Sequence, residues 1–209
     1  MNKLLLALSL TATLGSISTH ASAAPLDLST WLALGDTQVN PASAKVTTAF
    51  SNENPLASGA LDITALESQL FTPSGTLGID AYEGSALSQT FNFAARTSLS
   101  FNWTLGTDIF DAGFADLAFV LVDGTLLLPL ANVSAAGLLG AFSYTFSAGA
   151  HTLAFGVVDI NDVTGVSTLA VSALNVTAAA VPEPGSLALM LVGLAGLGLR
   201  ASRSKLPTR

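Results

Sequence analysis

The stretch Leu99-Ser-Phe-Asn-Trp-Thr104 decides the fold, because apolar and polar residues alternate along it without a break. Leu99, Phe101 and Trp103 occupy every second position, and small polar residues lie between them. Successive side chains of a β-strand point to opposite faces of the sheet, so this pattern predicts a strand with one buried and one solvated face. The same alternation at 87–93 and at 142–146 predicts two more strands of this kind.

The run Asp116–Val122 differs, because its apolar residues do not alternate with polar ones. Such a run predicts a strand that is buried on both faces, at the centre of a sheet. Asp123-Gly124 follows directly and predicts a tight hairpin into a strand at Thr125–Leu130. Pro129 has no N–H to donate, so this second strand is expected to lie at an edge or to end there.

Two further apolar runs, at 151–158 and 166–176, complete a series of short strands separated by turn residues. The series predicts an all-β fold, an antiparallel β-sandwich of jelly-roll kind, with an incomplete barrel as the alternative. The less regular front part predicts strands around Trp31–Leu34 and Lys45–Phe50. It also predicts one short helix at Gly59–Leu70, with Ser58 as its N-cap.

The N-terminus has the features of a targeting segment rather than of the fold. Lys3 supplies a positive charge, Leu4–Leu14 is apolar, and Ala21-Ser22-Ala23 is a small-residue cleavage site. We therefore expect a signal peptide over residues 1–23 and an exported mature chain that begins at Ala24.

The C-terminal segment, residues 181–209, has three parts. Pro182-Glu183-Pro184 is expected to stay extended, because proline fixes φ and lacks a backbone donor. The uncharged run Leu187–Leu199 predicts a short transmembrane helix of roughly 20 Å, against a hydrocarbon core of roughly 30 Å. A basic cluster then holds the end of the chain on the cytoplasmic side. It consists of Arg200, Arg203, Lys205 and Arg209.

In this order, the three parts resemble the PEP-CTERM signal of bacterial surface proteins. The resemblance implies that an exosortase recognises Pro182-Glu183-Pro184, cuts nearby and removes the tail. The chain would then pass through an inner-membrane intermediate, held by the C-terminal helix, before it reaches the cell surface or the extracellular space. An ordinary tail anchor is the alternative. Residues 24–180, between the two targeting segments, are expected to form a single β-sandwich domain.

Within that domain, four segments resemble β-sandwich modules that are common in exosortase-sorted proteins. They are Ala81–Ala86, Leu99–Trp103, Asp116–Val120 and Phe155–Asp159. Two polar positions depart from those modules, because Asn102 stands where Asp is frequent and Ser172-Ala173 stands where Asp-Asn is frequent. The resemblance implies a place in the biofilm or exopolysaccharide matrix.

The charge of the domain is strongly one-sided. Residues 24–180 contain thirteen acidic residues and two basic ones, Lys45 and Arg96, which gives a net charge of −11. An acidic surface repels nucleic acid, so we expect no nucleic-acid partner. The chain has no cysteine, and its stability must therefore come from packing rather than from disulfides.

Few residues of the domain favour catalysis. His151 is its one histidine, it is expected at the start of a strand, and no Gly-x-Ser-x-Gly motif supplies a matching nucleophile. Glu53, Glu67 and Glu83 are the acidic residues from which a glycosidase would draw its pair of carboxylates. We predict a non-enzymatic protein, and a hydrolase is kept as an alternative.

Two loops concentrate the oxygen ligands that calcium prefers. The first carries Asp108 and Asp111 with Asp116 beyond, and the second carries Asp159, Asn161 and Asp162. Both are expected between strands at one end of the sandwich. These residues are candidate ligands of a structural calcium ion, and the alternative is that Asp and Asn only favour turns there. No cofactor is otherwise predicted.

Sugar binding would need exposed aromatic side chains beside polar groups. Trp31 and Tyr82 are the candidates, because Trp103 and most phenylalanines fall at core positions of the alternation. The prediction for the whole chain is an exported, non-enzymatic β-sandwich protein, sorted to the cell surface or extracellular matrix by exosortase processing and associated with exopolysaccharide. A carbohydrate- or calcium-binding module is the alternative, and a self-associating structural protein is a third possibility.

Overall fold

The computed structural model describes residues 23–49, 59–110, 113, 115–161, 163–179 and 190–195. The described residues of the domain form twelve strands, one helix and one 3₁₀ turn at Leu28–Thr30. The strands are β1 (Ala23–Pro25), β2 (Leu32–Leu34), β3 (Asp36–Asn40), β4 (Ser43–Thr47), β5 (Leu61–Asp62), β6 (Ala81–Phe93), β7 (Thr97–Thr107), β8 (Leu117–Val122), β9 (Leu126–Asn132), β10 (Leu138–Phe146), β11 (Gly149–Ile160) and β12 (Ser167–Ala178). The helix is α1 (Ile63–Gln69).

The strands form two sheets. Sheet A has the order β10-β7-β12-β4-β3, with β1 also paired to β12, and sheet B has the order β2-β6-β11-β8-β9, with β5 also paired to β6. Every pair is antiparallel. The four-stranded portions β10-β7-β12-β4 and β6-β11-β8-β9 have jelly-roll order, because the chain crosses repeatedly between the two sheets. The predicted antiparallel sandwich is confirmed, and the barrel alternative is wrong because no pairing joins the sheets among the described strands.

The interior of the sandwich follows the alternation in the sequence. Leu99, Phe101 and Trp103 of β7 are 0%, 2% and 9% exposed. Phe101 packs against Phe142 of β10 and against Phe155 of the opposite sheet, with ring centroids 5.0 and 5.6 Å apart. Residues of sheet A and sheet B therefore share one apolar core.

Strand β8 is apolar on both faces because each face packs against a different apolar cluster. Val120 faces the sandwich interior, whereas Phe119 and Leu121 face the other way and belong to a second cluster. In that cluster they pack with Leu66 and Leu70 from the helical segment. Helix α1 thus covers part of the outer face of sheet B, as the continuous apolar run required.

The helix begins later than predicted. Its first residue is Ile63, and its N-cap is Asp62, whose Oδ1 accepts a hydrogen bond from the backbone N–H of Thr64 at 2.9 Å. The preceding residues were expected to be helical, but Leu61–Asp62 pairs with β6 instead. Ser58, the predicted N-cap, lies outside the described residues. Aspartate caps a helix as well as serine does, so the caps alone could not decide between the two starts.

The β8–β9 hairpin forms where Asp123-Gly124 predicted it. Both residues have positive φ, 53° and 67°, and Thr125 donates to the carbonyl of Val122 at 3.2 Å. Among the described strands β9 pairs only with β8, so Pro129 lies in an edge strand as expected. The strand does not end there, because a register shift beside Pro129 lets pairing continue to Asn132.

The two predicted targeting segments lie largely outside the described residues. The predicted signal peptide ends at Ala23, the first described residue, and Ala23–Pro25 pairs with Asn175–Thr177 of the last strand. Residues 190–195, inside the predicted C-terminal span, are helical. Among the described residues, no helix has both the length and the apolar character needed to cross a membrane.

Candidate functional site

Helix α1 ends in a left-handed cap that carries an unusual residue. The N–H of Phe71 donates to the carbonyl of Ser68 at 3.2 Å, and the N–H of Thr72 donates to the carbonyl of Glu67 at 3.0 Å. This pair of bonds is the Schellman pattern, in which the residue after the helix has positive φ and is usually glycine. Here that residue is Phe71, with φ of 55°. A bulky side chain in this region of backbone space strains the chain.

The strain at Phe71 is not offset by burial. The side chain is 90% exposed, so the ring gains almost nothing from the hydrophobic effect in the free protein. A left-handed conformation costs a residue with a Cβ roughly 1–2 kcal/mol. A strained residue with no structural benefit is a reason to look for a function at that position.

Neighbouring backbone holds the strained cap in place. The hydroxyl of Thr72, which is buried, donates to the carbonyl of Gly124 in the β8–β9 hairpin at 2.6 Å. A Cβ at Gly124 would lie 2.9 Å from the carbonyl oxygen of Phe71, so only glycine permits this approach. The cap and the hairpin therefore fix each other, and Phe71 projects from a rigid base.

A depression of about 290 Å³ opens beside Phe71. Its lining combines apolar groups with hydroxyl, carboxylate and imidazole groups. The lining residues are Leu70, Phe71, Thr90, Asp123, Gly124, Ala150, His151 and Thr152.

Hydrogen bonds fix the polar groups of this depression. Asp123 accepts from the backbone N–H of Thr152 through Oδ1 and contacts His151 Nδ1 through Oδ2, both at 2.8 Å. The hydroxyls of Thr90 and Thr152 lie 3.0 Å apart on adjacent strands. The Asp123 side chain is still 45% exposed and that of His151 is 17% exposed. These groups are thus preorganised and retain hydrogen-bonding capacity toward a ligand.

We name the depression with its aromatic lip the Phe71 site. An exposed ring beside fixed hydroxyl and carboxylate groups is suited to a ligand with an apolar face and a polar edge. A pyranose ring has this form, because its C–H groups pack on an aromatic ring while its hydroxyls bond to side chains. The chemistry of the site therefore favours a sugar.

His151 also completes a chain of three side chains that resembles a catalytic triad. Its Nε2 lies 3.1 Å from the hydroxyl of Ser147, and its Nδ1 bonds to Asp123. Nucleophile, base and orienting carboxylate are all in hydrogen-bond reach. However, Ser147 is absent from the lining of the depression, and the His151 ring packs against Phe93 and Phe146. The hydrogen-bonded side chains of Ser147, His151 and Asp123 link the β10–β11 turn to the β8–β9 hairpin.

The predicted calcium ligands are only partly described. Asp111 and Asp162 lie outside the described residues. Asp108 accepts from the N–H of Val166 at 2.6 Å, and Asp116 accepts from the N–H of Ile160 and from the hydroxyl of Ser167. Both loops therefore lie at one end of the sandwich.

Protein donors already occupy oxygens of Asp108 and Asp116 at that end. Asp159 is fully buried, and Asn161 has a φ of 68°. In the part of the chain that the structure describes, no three acidic or histidine side chains are grouped as metal ligands. Calcium binding at this end stays a prediction.

The two described glutamates considered for catalysis, Glu67 and Glu83, are both buried and lie in different surroundings. Glu53 lies outside the described residues. The buried carboxylate of Glu67 accepts from the backbone N–H groups of Gly75 and Leu77, both at 2.9 Å, and so organises the turn after the helix. Glu83 is also buried, in β6, opposite Asp159 of β11. Its burial, with the nearby Asp116 and Asp62 charges, raises the pKa of Glu83 to about 7.

The sequence identified the exposed aromatic residues only in part. Trp31 was a candidate platform, but it is 6% exposed and packs against Phe91 and Phe155, so that expectation is wrong. Tyr82 is 54% exposed, although it lies in β6 rather than in a loop. Phe71 was missed. A phenylalanine directly after a short helix, where glycine is usual, is the signal that could have found it.

Comparison with known proteins identifies the C-terminal segment. Residues 180–204 match the family model of the PEP-CTERM protein-sorting motif, which contains Pro182-Glu183-Pro184. The chain carries this sorting motif, as predicted. The comparison with curated proteins found no match.

Several solved structures are distantly similar to this chain. One is a family 35 carbohydrate binding module from an environmental isolate (14% identity, 61% of this chain, 82% of that one, TM-score 0.31). A second is TmCBM61, solved in complex with β-1,4-galactotriose (15%, 73%, 91%, 0.35). A third is the N-terminal cellulose-binding domain of Cellulomonas fimi β-1,4-glucanase C (10%, 73%, 90%, 0.34). These likenesses are too weak to bear on what this chain binds.

Proposed function

We propose that this chain, which carries a PEP-CTERM sorting motif, is a non-enzymatic carbohydrate-binding protein of the extracellular polysaccharide matrix. The sorting motif makes it an exported protein directed to the cell surface by an exosortase. The finer role rests on the Phe71 site, whose aromatic lip and fixed polar groups suit a sugar ring.

One observation supports this role above the others. Phe71 keeps a bulky ring 90% exposed at a backbone position that favours glycine and is unfavourable for a bulky side chain. Glycine is the usual residue at this position of a helix cap and would avoid the strain. The ring therefore serves an interaction, and the adjacent Thr90, Thr152 and Asp123 give that interaction a hydrogen-bonding edge.

Binding without hydrolysis fits the placement of the side chains. A nucleophile must touch the bound substrate, and Ser147 does not line the depression in which the sugar would lie. Asp123 is already engaged by His151 and by the Thr152 N–H. These contacts hold the Asp123 carboxylate in position to accept hydrogen bonds from the hydroxyl groups of a sugar.

Affinity electrophoresis of the full chain through a panel of neutral polysaccharides tests the proposal. The panel contains β-1,3-glucan, β-1,4-glucan, xylan, galactan and mannan. We expect at least one of them to retard the chain, and Phe71→Ala to weaken that binding at least tenfold. Ile79→Ala is the matched control, because Ile79 is 91% exposed and lies outside the site. Retardation by none of the five would end the proposal.

A parallel assay tests the absence of catalysis. The full chain is expected to release neither reducing sugar from the same panel nor p-nitrophenol from p-nitrophenyl acetate above the rate of the Ser147→Ala variant. Ser147→Ala should bind polysaccharide like the unchanged chain. Turnover that disappears on this substitution would instead make the Ser147–His151–Asp123 chain a hydrolase site.

Intact mass of the protein from its native host tests the sorting step. We expect a chain that begins at Ala24 and ends near Pro182–Pro184 in the surface or extracellular fraction. Extra mass at the new C-terminus would identify a group to which the chain is attached. A chain that still ends at Arg209 in the inner membrane would contradict exosortase processing and indicate a tail anchor.

A further inference from the structure

The carboxylates of the domain avoid one sheet almost completely. Ten of the thirteen acidic residues between positions 24 and 180 are among the described residues, and of these ten only Asp36 belongs to a strand of sheet A. The Asp36 side chain is 8% exposed and accepts a hydrogen bond from the hydroxyl of Thr47, so it does not charge the surface. The outer face of sheet A is therefore free of exposed strand carboxylates in a domain of net charge −11.

Lys45 lies on this face, on strand β4, which is next to the edge strand β3. It is exposed on β4, opposite Ala170 of β12 and Gln38 of β3. Among the described residues the single ion pair joins His151 and Asp123, so no described carboxylate neutralises Lys45. One of the two cations of the domain thus stands unpaired on its carboxylate-poor face.

A groove of about 660 Å³ runs across this face beside Lys45. The small residues Gly106 and Ala170 of the central strands line its bottom and leave space above them. Leu139, which is 82% exposed, lines the side away from Lys45. Hydroxyl groups of Thr104 and Thr168 line it. A second depression of about 190 Å³ also includes Lys45 and continues the polar lining with Ser43, Asn102 and Ser172.

We propose that the outer face of sheet A is a second binding surface, which takes an acidic polysaccharide and places one of its carboxylates at Lys45. An extended polymer matches an open groove across several strands. Hydroxyl and amide side chains along it satisfy the hydroxyls of the sugar units, and the ammonium group selects a uronic acid over a neutral unit.

The net negative charge of the domain does not prevent this contact at physiological salt. The two sheets of a sandwich lie about 10 Å apart, and the exposed carboxylates lie off the strands of sheet A. The Debye length at 0.15 M salt is about 8 Å. Asp108 is exposed and directly follows β7, two residues beyond Gly106, so it lies near one end of the groove. Repulsion from exposed carboxylates that lie farther than the Debye length from Lys45 is largely screened, whereas the attraction between Lys45 and a carboxylate in contact with it is not.

The two surfaces face opposite ways. The Phe71 site lies by the helix on the outer side of sheet B, and the groove lies on the outer side of sheet A. One domain can thus hold two polysaccharide strands at once. This arrangement lets the protein cross-link polysaccharides of the matrix. Because several protein molecules bind along each polymer, the combined binding is strong even where each single contact is weak.

Binding of the full chain to polygalacturonate in EDTA, at 0.15 M salt, tests the second surface. Lys45→Gln is expected to weaken binding at least tenfold, and Lys45→Arg should retain it because the charge is kept. Gly106→Val should also abolish binding, since a Cβ at Gly106 meets no atom within 4 Å and the valine would fill the groove without an internal clash. Raising the salt to 1 M should weaken binding by the unchanged chain.

The Phe71 variants separate this surface from the Phe71 site. Phe71→Ala should bind polygalacturonate normally, and Lys45→Gln should bind the neutral polysaccharide normally. Loss of polygalacturonate binding in Phe71→Ala, or no binding by the unchanged chain, would overturn the second surface and leave the first untouched. A dimer in light scattering that Gly106→Val converts to a monomer would also overturn it, because the face would then be an interface between two copies.

Discussion

The Phe71→Gly variant is expected to be more stable than the unchanged protein and unable to bind its neutral polysaccharide. Phe71 holds the left-handed position of the helix cap with φ of 55°, and glycine removes the Cβ that makes this position unfavourable. Part of the gain is lost again, because glycine raises the entropy of the unfolded chain. We expect a net gain of about 1 kcal/mol, which for a domain of this size raises Tm by roughly 2–4 °C.

Two further variants separate the ring from the backbone. Phe71→Ala removes the ring but keeps a Cβ at the strained position, so it should lose binding without the gain in stability. Ile79→Ala removes an equally exposed side chain away from the site and should change neither property. Thermal melting and affinity electrophoresis of the three variants provide both readouts. A fall in Tm for Phe71→Gly would mean that the ring stabilises the fold, and the strain at Phe71 would then no longer indicate a binding function.

The core of the fold could be predicted because its signals are local. Alternation along β7 and β10 reports burial directly, and the unbroken run of β8 required covers on both faces. The hairpin at Asp123-Gly124 was equally clear, since both residues accept positive φ. Each of these predictions depended on the alternation of side chains along one strand, or on the residue types of one turn, within about ten residues of sequence.

The front part of the domain was harder because its elements depend on distant partners. Strand β3 (Asp36–Asn40) has no marked alternation of apolar residues, and it forms because it pairs with β4 at the edge of sheet A. Strand β4 begins at Ser43 rather than near Lys45 for the same reason. Pairing with β6 likewise recruited Leu61–Asp62 from the predicted helix. Tertiary pairing outweighs weak local preference in such segments.

The candidate sites were predicted least well, because they are assembled from separate parts of the chain. His151 is 28 residues from Asp123 and 80 from Phe71 in sequence, yet all three line one depression. The carboxylate-poor outer face of sheet A can likewise be recognised only when the strand order is known. Trp31 shows the converse, since an isolated aromatic near the chain start packed into the core.

Stability of the domain is expected to fall as the pH rises from about 4.5 to about 7, and Glu83 is the reason. Its side chain is 3% exposed, and no described residue donates a hydrogen bond to its carboxyl group. Burial is the main cause that raises the pKa of Glu83 from 4.5 to about 7, and the Asp116 and Asp62 charges add to it.

The sign of this effect follows from proton linkage. Between the unfolded and the folded pKa, the folded state binds the Glu83 proton and the unfolded state does not. Stability is therefore complete below about pH 4.5 as far as this group is concerned, and it is lost as the pH approaches 7. The rise of the Glu83 pKa from 4.5 to about 7 limits this loss of stability to at most ~3 kcal/mol. Hydrogen bonds from Ser29 and Thr64 lower the pKa values of Asp27 and Asp62, and these groups titrate below this window.

Glu83→Gln tests the assignment, because glutamine has the same shape and stays neutral. The variant should be more stable than the unchanged protein at pH 8, by up to ~3 kcal/mol, and nearly equal to it at pH 4.5. Denaturant unfolding across this range, in EDTA so that no divalent cation neutralises the carboxylates, measures the difference. A parallel series with calcium tests the predicted metal site at this end of the sandwich.

Glu67 provides the matched control, because it is equally buried at 3% exposure but has two backbone donors. A glutamine there would turn an N–H group toward the N–H of Gly75 or Leu77. Glu67→Gln should therefore destabilise the domain by roughly 1–3 kcal/mol at every pH in the range. If Glu83→Gln behaved in the same way, the Glu83 carboxylate would be a stabilising acceptor in the folded state. The opposite responses of two buried glutamates are what hydrogen bonding, rather than burial alone, predicts.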